Sequence, residues 1–290
     1  MVPIDPCMLQ RESVVIEMEM TDFLEAALEV SSEASALLRN CFEQFLEVER
    51  KGNFDMVTEA DRRCERLIVD RLHRRFPSHS IIGEEGTHIR GASDCCWLID
   101  PLDGTANFIH RFPFFAISIA LVQEGQPIVG VVSDPVHQEC FSAEVDSGTR
   151  LNDRPAQVSV TGQVSESLLA TVFPAHLRET NGNIYYYQHL DCMSHGVRRA
   201  GSAALDLAYV ACGRLDALWG FGLKPWDYAG GWLLVREAGG LVTDMRGHPA
   251  DLHSPHLLAD NGFLHDPLLI ALAEVSKAGG RRTIPSLRIR

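Results

Sequence analysis

Trp97-Leu98-Ile99-Asp100-Pro101-Leu102-Asp103-Gly104-Thr105-Ala106-Asn107-Phe108 is the stretch on which the reading of this chain turns. An apolar, strand-like run ends in two carboxylates three residues apart across a proline, and Gly-Thr follows at once. Two anions this close repel and raise each other's pKa unless a cation lies between them. Pro101 restricts the local backbone, so both carboxylates and the Leu102 carbonyl can converge on one point. Ligands that are all oxygen suit a hard divalent ion such as Mg²⁺. Gly104 permits close approach of the backbone to a ligand. Thr105 stands where a helix can begin, and free N–H groups at a helix start bind phosphate. The stretch reads as a metal site joined to a phosphate site. Taken alone it also fits simpler readings, since Asp-Pro and Asp-Gly are turn signals and Asp or Thr before a helix is a cap.

The 290 residues suffice for one large domain or two intimately packed halves. Hydrophobic content of 46% with 22% charged residues is that of a soluble globular chain. No apolar run is long enough to cross a bilayer, and Met1 to Arg11 carries no signal-peptide pattern. A net charge of −13 argues against nucleic acid as a partner. An acidic protein that binds an anionic substrate needs local positive charge, which bound metal ions supply. The 8 cysteines form no paired C-x-x-C motifs, so a structural zinc site is not expected. They read as reduced, buried thiols in a cytoplasmic protein.

No repeat or Pro/Gly/Ser-rich linker divides the chain. Residues 1–17 read as a loose extension, 18–277 as a single domain, and 278–290 as a basic tail. Within the domain, residues 18–150 hold the metal and phosphate half and 151–277 the substrate half. Helical spacing predicts a helix from Phe23 to Val48, and Thr58 to Asp61 opens a second running to Phe76. Strands are predicted at Ser80–Ile82, Cys95–Ile99, Ala116–Val122, Ile128–Ser133 and Glu139–Glu144, with a hairpin turn at Glu124-Gly125. Further strands follow at Ser167–Val172, Gly196–Arg199, Ala217–Phe221, Leu241–Thr243 and Leu257–Ala259. Helices are predicted at Ser202–Cys212, Trp226–Ala238 and Pro267–Val275. Helices mixed with hairpin-linked strands point to a layered α+β fold, and no G-x-G-x-x-G supports a dinucleotide site.

Other acidic groups stand at similar places. Ile81-Ile82-Gly83-Glu84-Glu85-Gly86 ends a strand in carboxylates, and Lys224-Pro225-Trp226-Asp227 opens an apolar helix with one. Thr58 and Asp61 fit a capping box closed by Asp. Each alone fits a solvated turn or a cap. Together, Glu84, Asp100, Asp103 and Asp227 offer enough oxygens for two or three hard cations facing one crevice. Water held by such ions becomes a nucleophile near neutral pH, and a second ion holds the leaving oxygen. The chemistry implied is hydrolysis of a phosphate ester.

These residues resemble the inositol monophosphatase family of lithium-sensitive, Mg²⁺-dependent phosphatases. The first signature is W-L-I-D-P-L-D-G-T-A-N-F-I-H, Trp97 to His110; the second is W-D-Y-A-G-G-W-L-L-V-R-E-A-G-G, Trp226 to Gly240. Asp55 to Asp61, Ile82 to Glu85 and Arg198 to Ala204 support it in the same order. The resemblance implies a five-layered αβαβα sandwich, a homodimer, and inhibition by Li⁺. It implies that Glu84, Asp100 and the Leu102 carbonyl bind one Mg²⁺ and that Asp100, Asp103 and Asp227 bind a second, with Glu84 reaching a third. Thr105 would orient and help deprotonate the attacking water, with Asp61 and Thr58 in support. Backbone N–H groups of Gly104 and Thr105 would hold the phosphate, and Ala203 and the Asp103 region the rim of the substrate. Lys51 would lie on the flexible loop that shields the ions.

Departures bear on the substrate. Inositol-type members commonly carry a Glu seven residues before the second-signature Asp, where this chain has Gly220. Asn107-Phe108 is similar to inositol-type members, whereas relatives acting on 3′-phosphoadenosine 5′-phosphate more often carry Lys-Glu there. Ala106 stands where animal members often have Thr. Inositol monophosphate or a similar small polyol or sugar phosphate therefore ranks above a nucleotide. Alternatives on the same scaffold are fructose-1,6-bisphosphate and histidinol phosphate. A non-catalytic alternative is a binding partner of the transcription machinery.

Overall fold

The computed structural model describes residues 6–43, 48–50, 56–173, 182–254 and 256–277. The chain opens with α1 (Pro6–Phe42), β1 (Val48–Arg50), β2 (Met56–Thr58), α2 (Glu59–Arg75), β3 (Ser80–Gly83), β4 (His88–Ile89), β5 (Cys95–Asp103) and α3 (Thr105–Ile109). A meander follows: β6 (Ala116–Gln123), β7 (Gln126–Asp134), β8 (Glu139–Glu144), β9 (Thr149–Leu151) and β10 (Arg154–Ala156). The remainder is β11 (Leu168–Thr171), α4 (Asn183–Asp191), β12 (Gly196–Arg198), α5 (Ala203–Ala211), β13 (Ala217–Phe221), α6 (Pro225–Glu237), β14 (Leu241–Thr243), β15 (His256–Asp260) and α7 (His265–Lys277).

Of three sheets among the described residues, one is the antiparallel β1–β2 pair and two organise the layers. The larger runs β10-β9-β8-β7-β6-β5-β3-β4, antiparallel except where β3 lies parallel to β5. The smaller runs β12-β11-β13-β15-β14, with β12, β11 and β13 parallel. Leu38, Ile68, Leu72, Trp97, Ile99 and Ile117 pack α1 and α2 onto one face of the large sheet. Its other face, with Val132 and Phe141, meets α5 and α6 through Leu207 and Leu233, and Leu218 of β13 closes that core from the small sheet. Leu190 of α4 and Leu268 and Leu272 of α7 cover the outer face of the small sheet around Trp219. The order is helix, sheet, helix, sheet, helix: the five-layered sandwich that the resemblance implied.

The chain's patterns explain the layers. Helix α2 buries Ala60, Asp61, Cys64, Glu65, Ile68 and Leu72, a single stripe at helical spacing. Helix α6 is buried at every residue from Tyr228 to Val235, as a helix between two sheets must be. Strand β6 is buried continuously from Ala116 to Val122 because helices cover both faces of its sheet. Glu124 and Gly125 take positive φ of 49° and 77°, matching a hairpin turn with both central residues left-handed.

Boundaries differ from the sequence-based expectation in places. The backbone is helical from Pro6, within the stretch expected as a loose extension. The helix stops at Phe42 instead of Val48, which opens β1. The Phe42 ring is held by Phe108 and Phe115 at 5.4 and 4.9 Å, and Arg111 Nη1 donates to the Phe42 carbonyl at 3.1 Å. Helix α4 was not expected, because its sequence lacks an apolar stripe. Buried Asn183 at its start accepts from Trp219 Nε1 at 2.7 Å and donates to Thr171 Oγ1 and the Val172 carbonyl, both at 2.9 Å. Among the described residues no helix is long and apolar enough to cross a membrane.

Glycines set the spacing of the central layer. A Cβ on Gly130 of β7 would stand 2.7 Å from the Gly230 carbonyl of α6. One on Gly231 would stand 2.5 Å from Cβ of Leu207 in α5. Neither neighbour is a flexible chain end, so a helix must move to admit a methyl group. Gly231→Ala is therefore expected to cost about 1–3 kcal/mol of stability through overpacking. Urea unfolding checks this, and an unchanged midpoint would refute the close-packing account.

Candidate metal and phosphate site

The site begins with an irregularity in β5. Asp100 lies opposite Ser118 of β6 and Asp103 opposite Ala116, so the register shifts between them. In a regular strand, residues three apart point to opposite faces. Here one extra residue on β5 intervenes, and both carboxylates share a face with Ser118 and Ala116. Pro101 has no N–H for the ladder, which suits it to a bulge. Asp100, 2% exposed, turns Oδ1 back to accept from Leu102 N at 3.0 Å.

Two helix starts from the central layer meet this strand end. Asp103 Oδ2 accepts from Ser202 Oγ and Ala204 N, each at 2.7 Å, at the first turn of α5. Ser202 caps that helix by accepting from Leu205 N at 3.3 Å. Asp227 is the third residue of α6, not its cap, and its Oδ2 accepts from Lys224 N at 2.8 Å. Both carboxylates thus meet the positive end of a helix. Glu84 follows β3, and its N–H donates to the Ile99 carbonyl at 3.1 Å, which fixes it beside β5.

The electrostatics tie these groups together. Burial pushes Asp100 well above the ordinary carboxylate range, and repulsion from Glu84, Asp103 and Asp227 adds to it. Burial likewise raises Asp227, with repulsion from Glu84 and Asp103 and partial relief from Lys224. Burial lifts Asp103 to about 6, against the hydrogen bonds from Ser202, Ala204 and Ala203. Among the described residues, no three or more His, Cys, Asp or Glu side chains close on one point as a finished cage. The donor set is nonetheless hard oxygen that repels itself, and this fits a hard cation better than any soft metal.

The side expected to hold phosphate is built on α2 and α3. Gly104 takes φ +100° before α3, and a Cβ there would lie 3.1 Å from the Phe114 carbonyl and 3.3 Å from that of Gly201. Only glycine suits that turn. Thr105 Oγ1 lies 3.0 Å from Asp61 Oδ1 and 3.2 Å from the Leu102 carbonyl, within donating reach of both. Asp61 Oδ2 accepts from Thr58 N at 2.8 Å and Thr58 Oγ1 at 2.5 Å, which forms the expected capping box. Burial raises the Asp61 pKa while these hydrogen bonds lower it. The structure therefore joins Thr58, Asp61, Thr105 and Leu102 in one chain of hydrogen bonds. Ala203 is buried with its backbone hydrogen-bonded to Asp103, and Lys51 lies outside the described residues.

Three contributors escaped the sequence reading. Ser202 anchors Asp103. Asn107 Nδ2 donates to the Phe114 and Ala200 carbonyls at 2.6 and 2.8 Å, and so ties α3 to the segment before α5. Glu65 is buried beside Glu84's turn. Its signal was available: with Asp61 it is an acid on the apolar stripe of α2.

The model of the inositol monophosphatase family matches residues 19–278. An inositol-1-monophosphatase from Synechocystis sp. is 43% identical over 88% of this chain and 90% of its own length. The protein named Nus factor SuhB from Pseudomonas aeruginosa is 44% identical over 87% of this chain and 96% of its own length. The structure of inositol monophosphatase from Anabaena (Nostoc) sp. superposes with a TM-score of 0.81 at 41% identity, covering 88% of this chain and 97% of that one.

A carboxyl with a raised folded-state pKa favours the fold at low pH and loses that contribution as pH rises through the folded value. For Asp103 the contribution is full below 3.8 and lost through about 6. In chelator, the thermal midpoint of the protein should therefore gain more than that of Asp103→Asn when pH falls from about 7.5 to about 5.5. Identical pH profiles would contradict a buried, titrating Asp103.

Proposed function

The chain belongs to the inositol monophosphatase family, and from that premise we propose that this phosphoric monoester hydrolase uses Mg²⁺ to cleave inositol monophosphate or a similar small polyol or sugar phosphate. One observation carries the reading. Carboxylates from the turn after β3, from β5 and from α6 lie close enough to repel one another, and the Gly104-Thr105 turn follows Asp103 directly. Glu84, Asp100, Asp103, Asp227 and the Leu102 carbonyl are the groups that would hold two to three ions. Bound there, Mg²⁺ would lower the pKa of water and offset the charge on phosphate.

The chain's own residues supply orientation. The Thr105 hydroxyl donates a hydrogen bond to Asp61, which leaves an Oγ1 lone pair that would accept one from the attacking water. Thr58 holds Asp61 from the other side, so the Thr105 hydroxyl is aimed rather than free to rotate. The backbone N–H groups of Gly104 and Thr105 would hold the phosphoryl oxygens. Asp103 spends one oxygen on α5 and keeps the other for the crevice.

The substrate's alcohol side is less acidic here than in inositol-type members. A Cβ on Gly220 would stand 2.8 Å from both Leu223 Cδ1 and Val172 Cγ2, so a Glu there would displace both. That apolar packing supports the wider class of polyol and sugar phosphates, with fructose-1,6-bisphosphate and histidinol phosphate as alternatives. The seven cysteines from Cys41 to Cys212 carry free thiols, which suits a reducing, cytoplasmic setting. A homodimer and inhibition by Li⁺ complete the reading. The similarity to a protein named Nus factor SuhB favours a second role, contact with the transcription machinery.

Asp103→Asn at saturating Mg²⁺ is expected to lower kcat/KM by at least about 100-fold across a panel of phosphate esters. Near-normal hydrolysis would refute the role given to Asp103. The ester cleaved with the highest kcat/KM identifies the substrate. If instead Asp103→Asn is inactive yet still co-purifies with RNA polymerase, the second role stands apart from catalysis. A solution mass equal to one chain would refute the homodimer.

A further inference from the structure

Glu65 sits on the buried stripe of α2, one turn after Asp61, and is 4% exposed. Its bonds all go to the turn that carries Glu84. Oε2 accepts from Glu85 N at 2.8 Å. Oε1 accepts from Thr87 N at 3.1 Å and Thr87 Oγ1 at 2.6 Å. The turn is closed across its base by Gly83 N donating to the Thr87 carbonyl at 2.9 Å. On the near side, a Cβ on Gly83 would lie 2.3 Å from Glu65 Oε2. The carboxylate therefore lies against Gly83 and binds the two amides at 85 and 87, so it grips the chain on both sides of Glu84.

We propose that Glu65 is a positioning residue for Glu84, holding the 83–87 turn so that the Glu84 carboxylate meets Asp100 in the crevice. The inference rests on the reading of Glu84 as a cation ligand. It assigns α2 a double task. Asp61 aims Thr105, and Glu65 sets Glu84, so one rigid helix registers both the water-orienting side and the ligand side of the site. Groups that orient a ligand from behind govern metal affinity more than the chemical step.

The test uses the full chain with Glu65→Gln, which keeps the side-chain shape but offers one acceptor oxygen where two are used. Three quantities are measured: amide hydrogen exchange at Glu85 and Thr87 in chelator, the Mg²⁺ dependence of the thermal midpoint, and kcat against the half-saturating Mg²⁺. Expected are faster exchange at both amides and a half-saturating Mg²⁺ raised about 10–100-fold, with kcat largely recovered at saturation. A merely structural role would lower the midpoint without shifting the Mg²⁺ response. Should Glu65→Gln fail to fold, Thr87→Ala removes a single donor and is expected to shift the response in the same direction by less. A folded variant with the parent's half-saturating Mg²⁺ overturns the assignment while leaving the metal reading intact. A parent protein and a Glu84→Gln variant both indifferent to Mg²⁺ overturn the two together.

Discussion

A single extra residue in β5 decides what this molecule can do. Without it, Asp100 and Asp103 would point to opposite faces of a sheet that is covered on both sides. With it, they share a face, and the cost is mutual repulsion in a place that water cannot screen. The rest of the site works around that repulsion. Asp103 is drawn onto the first turn of α5, where hydroxyl and amide donors hold one oxygen. Asp227 is drawn onto the first turn of α6 in the same way. Hydrogen bonds stabilise each carboxylate separately, but none of them brings a positive charge to offset the repulsion.

The packing serves this arrangement. Helices α5 and α6 must lie close to the large sheet if their first turns are to reach the end of β5. Gly130, Gly230 and Gly231 remove the side chains that would otherwise hold these layers apart. On the opposite face, α2 brings Asp61 to Thr105 and Glu65 to the 83–87 turn. Carboxylates therefore approach from both helical layers that flank the large sheet, and each is placed by backbone donors rather than by flexible cationic side chains. Rigid donors of that kind hold geometry with little loss of side-chain entropy.

The relation between sequence and structure is uneven. The strands from Cys95 to Glu144 were legible because continuous apolar runs between turn residues have few other solutions. So was α6, which is apolar on all sides. The end of α1 was not legible, since nothing local to Phe42 stops a helix; aromatic packing on Phe108 and Phe115 and a donor from Arg111 do. Helix α4 has no stripe to read, because Asn183 is anchored through Trp219 and Thr171 from strands distant in the chain. Glu65 stood in plain view as an acid among apolar neighbours, yet its bonds go to a turn about twenty residues away.

The amino-acid sequence by itself determined the chemistry available: oxygen ligands only, at strand ends and helix starts, with a Gly-Thr turn between them. It determined the family and the layer composition as well, since both depend on residue types at short spacing. Only the tertiary structure decided which of those acids cooperate. Whether a carboxylate acts as a cap, a turn or a ligand depends on the charges and donors that other segments bring within a few ångströms. Those distances are set by sheet register and by helix packing across the layers, which no local pattern encodes.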